Sequence, residues 1–518
     1  MSRNLIIHNN NVPFLDKFDY KIVFKVTGVD VDRYITDTIM PQIVNLDCKV
    51  IYIKDNLSSN YLELYGIRLA YHIRLSQIVL PIVILSDLDG FSLNKIGSIS
   101  NILFSKNIFI EKNHSDSLKK IDNLNIEPFQ KSDYRSNFLD LIEIEPPKDY
   151  LSHHDISNEW AIYRWAEFLK IDNSKAIDIN RKKIVSMLYF KYLLAKNPIP
   201  KKSAISFAPQ APREGGKILY IDDEWAKGWS DILKRYFSKS QNIEFETFEY
   251  NFKDNNKFNT ILAIKRYCET YYPDIVLLDL RLTQSDHKTT EIETLTGIKI
   301  TKIIKEINPA IQIIMLTATS QGVILENLYQ HGILGYIKKE HPTDINISTK
   351  DNFNKLKALV DRGFNKSYLK EIWKIEKDIL TLNIFQKDSF REMRFEINSI
   401  FEVLDSDMNK RYIYAMLSIH QSLEEINNHF IDDRSGVWYD SKIAIDGKTT
   451  TKNKILEIVH KKLNLYNFDN KIQEITHLRN GVIHPNNKKV SIDSSQIVAW
   501  FKMLQTILKK VSSDQPNH

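Results

Sequence analysis

Glycine and proline are both scarce, 15 of each in 518 residues, where average usage would give about 36 and about 26. That excludes collagen-like, Gly/Ser-linker and proline-rich low-complexity chains. It also argues against an all-β protein built on many glycine-rich hairpins. Cysteine is scarcer still. Cys48 and Cys268 stand far apart without a metal-type spacing, so neither a disulfide framework nor a zinc site is expected, and a reducing, cytoplasmic compartment is the natural one. Long apolar runs are missing too. The longest, Ile78 to Leu85, contains Pro81 and is far short of the about 20 residues a membrane helix needs. It reads as a buried strand, and no membrane partner is expected. MSRNLIIHNNN offers no apolar core of the kind a signal peptide has.

What is present is globular: 43% hydrophobic and 26% charged residues. The length predicts three to four domains at roughly 150 residues each. The net charge of +6 is compatible with a nucleic-acid partner and equally with lysine-rich solvated surfaces.

Along the chain, residues 1–145 alternate strands (DYKIVFKV, CKVIYIKD, LPIVILSD, KNIFIEK) with a helical stretch, LELYGIRLAYHIRL. That order predicts an α/β domain with a mainly parallel sheet. Residues 146–215 read as a helical connector and a proline-rich linker. The connector has an apolar face at Ala161, Ile162, Trp165, Phe168 and Leu169. Residues 216–364 alternate strand and helix more sharply, and 365–518 read as successive amphipathic helices around one polar interruption, DDRSGVWYDSKIAIDGKTT. The expected fold class is therefore multidomain α/β plus all-α: a doubly wound parallel sheet, an N-terminal α/β domain and a C-terminal helical bundle.

In the middle segment, KILYIDDE ends a buried strand in Asp222 and Asp223, and YPDIVLLDLRL ends another in Asp279. In a parallel sheet the carboxyl ends of the strands share one edge, where ligands bind. Three carboxylates gathered there suit a hard cation such as Mg²⁺. IQIIMLTATS brings Thr317 to the same edge and LGYIKKE brings Lys338 and Lys339. A hydroxyl and an ammonium beside carboxylates suit a phosphorylated carboxylate.

This set resembles the receiver domain of bacterial response regulators, over about residues 216–364. The resemblance implies that Asp279 accepts phosphate from a histidine kinase or a small phosphodonor. It implies that Asp222, Asp223, Asp279 and the carbonyl of Arg281 hold Mg²⁺. Thr317, Tyr336 and Lys339 would be the switch residues. Two departures stand out: a long loop after Asp279, TQSDHKTTEIETLTG, and Glu340 where the family has proline. The other option is a receiver-like fold whose acidic cluster is never phosphorylated.

In THLRNGVIHP, Arg479 and Asn480 precede His484, and Pro485 ends the helix. Asn480 and His484 share a helix face, which Arg479 can reach by curling, and Gly481 leaves room for close approach. With the helical context this resembles the HEPN superfamily, whose ribonucleases carry such an Arg–His motif and pair as homodimers so that two motifs line one cleft. The resemblance implies RNA cleavage without a metal, with His484 as acid/base, Arg479 as transition-state clamp and Asn480 orienting one of them. The alternatives are a helix-end cation pair and a non-catalytic domain that mediates protein–protein contact. His477, two turns before His484, could join that site but reads rather as a surface residue, and His153 and His154 read as solvent-exposed. SDLDG, at Ser86–Gly90, follows a buried strand much as Asp279 does, so the N-terminal domain reads as an option for a degenerate receiver, with Asp87 and Asp89 as loop or capping residues. The whole then reads as a signalling effector in which a receiver controls a ribonuclease, a pairing that would suit stress or anti-phage defence.

Overall fold

The computed structural model describes residues 3–513 apart from 26–29, 59–62, 96, 125, 128, 148–152, 199–208, 290, 319–327, 344–347, 387–389, 430–450 and 484–490. His484 and the polar interruption at 432–450 therefore lie outside the described residues.

Two five-stranded parallel sheets are present. The first comprises β1 (Asn4–His8), β2 (Tyr20–Val23), β3 (Val50–Lys54), β4 (Ile82–Ser86) and β5 (Ile108–Lys112), in the order β2-β1-β3-β4-β5. The α1 helix (Tyr65–Leu75) leads from β3 to β4. The four expected strands are there, but KIVF is the second strand, not the first. The first is NLIIH, five wholly buried residues whose run is too short, and too closely flanked by asparagines, to stand out.

Three helices follow: α2 (His153–Leu169), α3 (Lys175–Ser186) and α4 (Leu188–Lys196). The second sheet holds β6 (Gly216–Ile221), β7 (Ile243–Thr247), β8 (Ile275–Leu278), β9 (Gln312–Thr317) and β10 (Gly335–Lys338), in the order β10-β9-β8-β6-β7. Read from its own first strand this is again 2-1-3-4-5, the doubly wound order in which ligands sit where the strand order reverses. β7, IEFET, is an edge strand half open to solvent with glutamates along it. That is how edges avoid pairing with other chains, and why its hydrophobic signal is weak. Around the sheet lie α5 (Trp229–Phe237), α6 (Lys257–Tyr271), α7 (Thr296–Ile307) and α8 (Thr349–Asn365).

The remainder is helical: α9 (Leu369–Leu380), α10 (Arg391–Asp405), α11 (Arg411–His429), α12 (Thr451–Glu457), α13 (Asp469–Ile483) and α14 (Ser494–Ser513). Their apolar stripes meet in one core that includes Ile372, Met393, Met416, Ile475, Trp500 and Phe501.

The connector is not a free tether. In α2, Ile156 and Trp160 belong to the core of the first sheet, while Ala161, Ile162, Trp165 and Ala166 belong to that of the second. On the other side, α4 is pinned to the first domain through a buried network. Asp32 accepts bonds from Arg68 (2.5 and 2.8 Å) and from the Leu188 amide (2.7 Å). His72 Nε2 lies 2.9 Å from Asp32 Oδ1, and Lys191 Nζ lies 3.1 Å from His72 Nδ1. A neutral imidazole satisfies both contacts, donating at Nε2 and accepting at Nδ1.

Burial lowers His72 from 6.5 to about 4, although Asp32 pulls the other way. Between those values the unfolded chain binds a proton that the folded chain refuses. Stability therefore falls as pH drops from 7 to 4, by about 3 kcal/mol for this group alone. Denaturant unfolding across that range should show the decline, and His72→Gln should flatten it. An unchanged slope in the variant would assign the acid sensitivity elsewhere.

Candidate functional site

The carboxyl edge of the second sheet collects the expected side chains, because β6, β8, β9 and β10 end there side by side. Lys339 is 1% exposed, and its ammonium bridges two carboxylates, Asp222 Oδ2 at 2.9 Å and Asp279 Oδ1 at 3.1 Å. Each carboxylate is fixed further. Asp222 accepts from Tyr220 OH (2.8 Å) and the Glu224 amide (2.7 Å). Asp279 Oδ2 accepts from the Arg281 amide (2.7 Å). The Lys339 amide donates to the Thr317 carbonyl (2.7 Å), which locks the two strand ends together.

The electrostatics are unbalanced. Burial and the neighbouring Asp222 and Asp279 push Asp223 up to about 9. Burial pushes Asp279 up to about 7, with Lys339 pulling it down and Asp222 adding to the rise. One ammonium does not neutralise this many buried acids. Their donor chemistry fits a hard dication such as Mg²⁺. Among the described residues, however, no three ligating side chains converge into a metal-holding group; Asp222 and Asp279 are bridged by Lys339.

The long loop after Asp279 is ordered by one residue. Asp286 is buried and accepts from the amides of Leu282 (3.0 Å), Thr283 (3.1 Å) and Thr296 (3.1 Å) and from Lys257 Nζ (2.9 Å). The Arg281 guanidinium donates to its carbonyl. This places His287 at the site. Tyr336 is half-buried, edge-on to Tyr329 (centroids 6.1 Å apart) with the Lys355 ammonium 4.0 Å above its ring.

His154 is not a free surface residue. With Asp155 and Asn158 of α2 it lines a cavity of about 40 Å³ shared with Asp223, Asp279, Arg281 and Thr317. Its ring stands 6.2 Å from that of His287. Of His153 only the backbone is described. Nothing in the spacing of the sequence joined the connector to this edge.

The first sheet has the same edge without the chemistry, and the strand registers show which residue stands where. The Gly66 amide donates to the Asp55 carbonyl and the Gly297 amide to that of Leu280, and at both a Cβ would collide with the strand end. Aligning those positions makes Lys54 the counterpart of Asp279. The ladders then pair His8 and Asn9 with Asp222 and Asp223, Ser86 with Thr317 and Asn113 with Lys339. SDLDG is thus the end of the fourth strand, not the counterpart of the Asp279 position. A lysine stands in the place of Asp279. Its ammonium is taken by Asp55 (2.9 Å) and Asp87 (3.1 Å), and Ser86 Oγ donates to Asp55 (2.5 Å). Asp89 caps the next helix through the Ser92 amide (2.7 Å).

In the helical bundle, α11, α12 and α13 enclose a polar cleft of about 850 Å³ lined by His420, Glu424, Lys452, His477, Arg479 and Asn480 among others. Arg479 donates to Asn480 Oδ1 (3.2 Å) and lies 3.7 Å from Glu424. Glu424 also faces His420 Nδ1 (3.7 Å), and His420 and Arg479 hold its carboxyl below the usual range. His420 Nε2 is buried with no hydrogen-bond partner among the described residues. His477 is exposed yet lines the cleft. His420 and Glu424 escaped the sequence reading because they lie more than fifty positions from Arg479. Their spacing of four on an amphipathic helix was the available signal.

Residues 8–110, which include Lys54, match the family model described as Inactive Receiver domain. Among solved structures, the chain is similar to a LuxR-family two-component response regulator from Aurantimonas sp. SI85-9A1, at 17% identity over 29% of this chain and 86% of that one, with a TM-score of 0.21. It is similar to the signal receiver domain of a modulated diguanylate cyclase from Desulfovibrio desulfuricans G20, at 14% identity over 30% and 98%, TM-score 0.21. It is also similar to NtrX from Brucella abortus, at 16% identity over 41% of each chain, TM-score 0.23. No curated protein matches. Among the described residues no helix is long and apolar enough to cross a membrane. Residues 8–110 are thus the part of the chain that the family model covers, and the first sheet, to which they contribute, has the same 2-1-3-4-5 strand order as the second.

Proposed function

We propose that the chain is a signalling effector in which the second sheet is a phosphorylatable receiver and the helical bundle a HEPN-like ribonuclease. The observation that carries the first half is the Asp222–Lys339–Asp279 bridge at the carboxyl edge of the strands. Asp279 is the nucleophile. Its Oδ2 is held by the Arg281 amide, and Lys339 and Thr317 stand where phosphoryl oxygens would arrive. The Mg²⁺ reading rests on Asp222, Asp223, Asp279 and the Arg281 carbonyl. The ion would supply the positive charge that the buried acids and a phosphoryl group both call for. The donor is a histidine kinase or a small phosphodonor, in the cytoplasm.

The second half is supported by the polar cleft around Arg479. Arg479 bonds to a side chain, Asn480, and faces Glu424, which supports a role in that cleft more than the capping of helix carbonyls. In this reading Arg479 stabilises the developing charge on an RNA phosphodiester, His484 moves the proton, and Asn480 positions Arg479. One protomer brings one such His484, so a homodimer that faces two motifs together supplies both acid and base. Anti-phage or stress defence is the setting such a pairing suits.

Two experiments test the halves separately. After incubation with acetyl phosphate and Mg²⁺, wild type should shift on a Phos-tag gel and Asp279→Ala should not. A wild type that never shifts would remove phosphorylation from the scheme. With total RNA, Arg479→Ala should slow cleavage by about 10²–10³-fold, as loss of one charge-stabilising donor does, and His484→Ala should abolish it. If RNA survives equally with wild type and variants, with and without the phosphodonor, the bundle is a binding module.

A further inference from the structure

The long loop after Asp279 is built around one buried acid. Asp286 is wholly buried. It gathers three amides and the Lys257 ammonium, and it closes a capping box with Thr283. That much bonding on one carboxylate fixes the backbone on both sides of it. On one side the Arg281 guanidinium is tied to the carbonyls of Asp286 and Thr289, the latter at 3.3 Å. On the other stands His287, exposed to solvent yet in the wall of the cavity that holds Asp279, Thr317 and Arg281.

The walls of that cavity differ in depth. Asp279 and Thr317 are 7% and 2% exposed and lie at its floor. His287 and the half-buried His154 of α2 stand at its open side, their rings 6.2 Å apart. The cavity is about 40 Å³, the space of about three waters. A phosphoryl group on Asp279 fills that space, so a further water has only the open side to occupy. In displacement at phosphorus the attacking and leaving oxygens lie roughly in line. With buried Asp279 as the leaving group, the attacking oxygen comes from the solvent side, where His287 is. Burial and the Arg281 charge hold that imidazole below its usual range, against Asp155 and Asp286. At neutral pH it is therefore unprotonated and able to take a proton.

We propose that His287 is the catalytic base for hydrolysis of a phosphoryl group on Asp279, so that the site that accepts phosphate also removes it. The inference rests on Asp279 being the phosphoacceptor and adds a second activity to its site. The step balances without a further reactant. A water oxygen attacks phosphorus and gives its proton to the His287 imidazole. The bond from phosphorus to the Asp279 oxygen breaks, and the carboxylate leaves with the electron pair. The imidazole returns the proton to solvent, and the product is inorganic phosphate.

The test labels the full chain with acetyl phosphate and Mg²⁺, removes the donor by desalting, and follows loss of the Phos-tag shift. The decay starts from phosphorylated protein, so it does not depend on how fast each variant was labelled. His287→Ala should lengthen the half-life by about 10²-fold, the lower end of what a positioned base contributes. His287→Gln, which can hold a water but cannot take its proton, should decay as slowly as His287→Ala. An exposed loop residue tolerates both changes, and the shift itself reports a folded acceptor. Decay of His287→Ala at the wild-type rate would overturn the proposal. So would rapid decay of His287→Gln, which would make the side chain a holder of water and not a base. If wild type is never labelled, the acceptor reading fails, and the hydrolysis with it.

Discussion

A single buried ammonium organises the second sheet. Lys339 sits between Asp222 and Asp279 with almost no solvent around it. Burying one lysine against two carboxylates is tolerable only because each carboxylate also collects amide or hydroxyl donors. Those donors come from the residues just past the strand ends, so the geometry of the edge and its charge balance are one constraint. Remove the ammonium and two acids face each other in a dry site. Keep it, and burial together with the neighbouring Asp222 and Asp279 still pushes Asp223 up to about 9.

The first sheet shows what the same backbone does when that balance is altered. Its strand order is identical and its glycine after the third strand makes the same close approach. Yet Lys54 stands in the place that Asp279 has in the second sheet, with Asp55 and Asp87 arranged around it. The charges have been exchanged: a cation at the centre, acids at the rim. The edge is satisfied internally, with no carboxylate pair left facing the position a metal or phosphoryl group would take. The fold is kept, and the chemistry is replaced by a salt-bridged plug.

The strands of both sheets were legible wherever apolar runs ended in charged residues. The signatures at Asp222, Asp223, Asp279, Thr317 and Lys339 could be read because β strands carry their chemistry at the last residue. NLIIH and IEFET were not legible, one for its shortness and the other for its edge-strand polarity. His154, Asn158 and Glu340 belong to the site only through the packing of a helix that departs and returns, and the distance along the chain from α2 to β10 hides that. His420 and Glu424 were hidden in the same way. Long-range contacts of this kind leave no local period in a sequence. The one clue was a departure, the glutamate in place of proline, whose meaning needed its partners.

Glu340 also joins elements that would otherwise be separate. It bonds α2 and the first turn of α8 at the carboxyl edge of the sheet. α8 then runs to the opposite edge, where Phe364 lies against Gly216. There α9 begins the helical bundle, and Lys370 reaches Asp274 (2.8 Å) and the carbonyls of Tyr272 and Pro273 (2.9 and 3.1 Å). The bundle is therefore anchored at the end of the sheet farthest from Asp279. Nothing placed on Asp279 touches it directly. Through Ile156 and Trp160, the same helix α2 reaches into the core of the first sheet. The Glu340 carboxylate thus bonds both the helix that reaches the first sheet and the helix whose far end leads into the bundle.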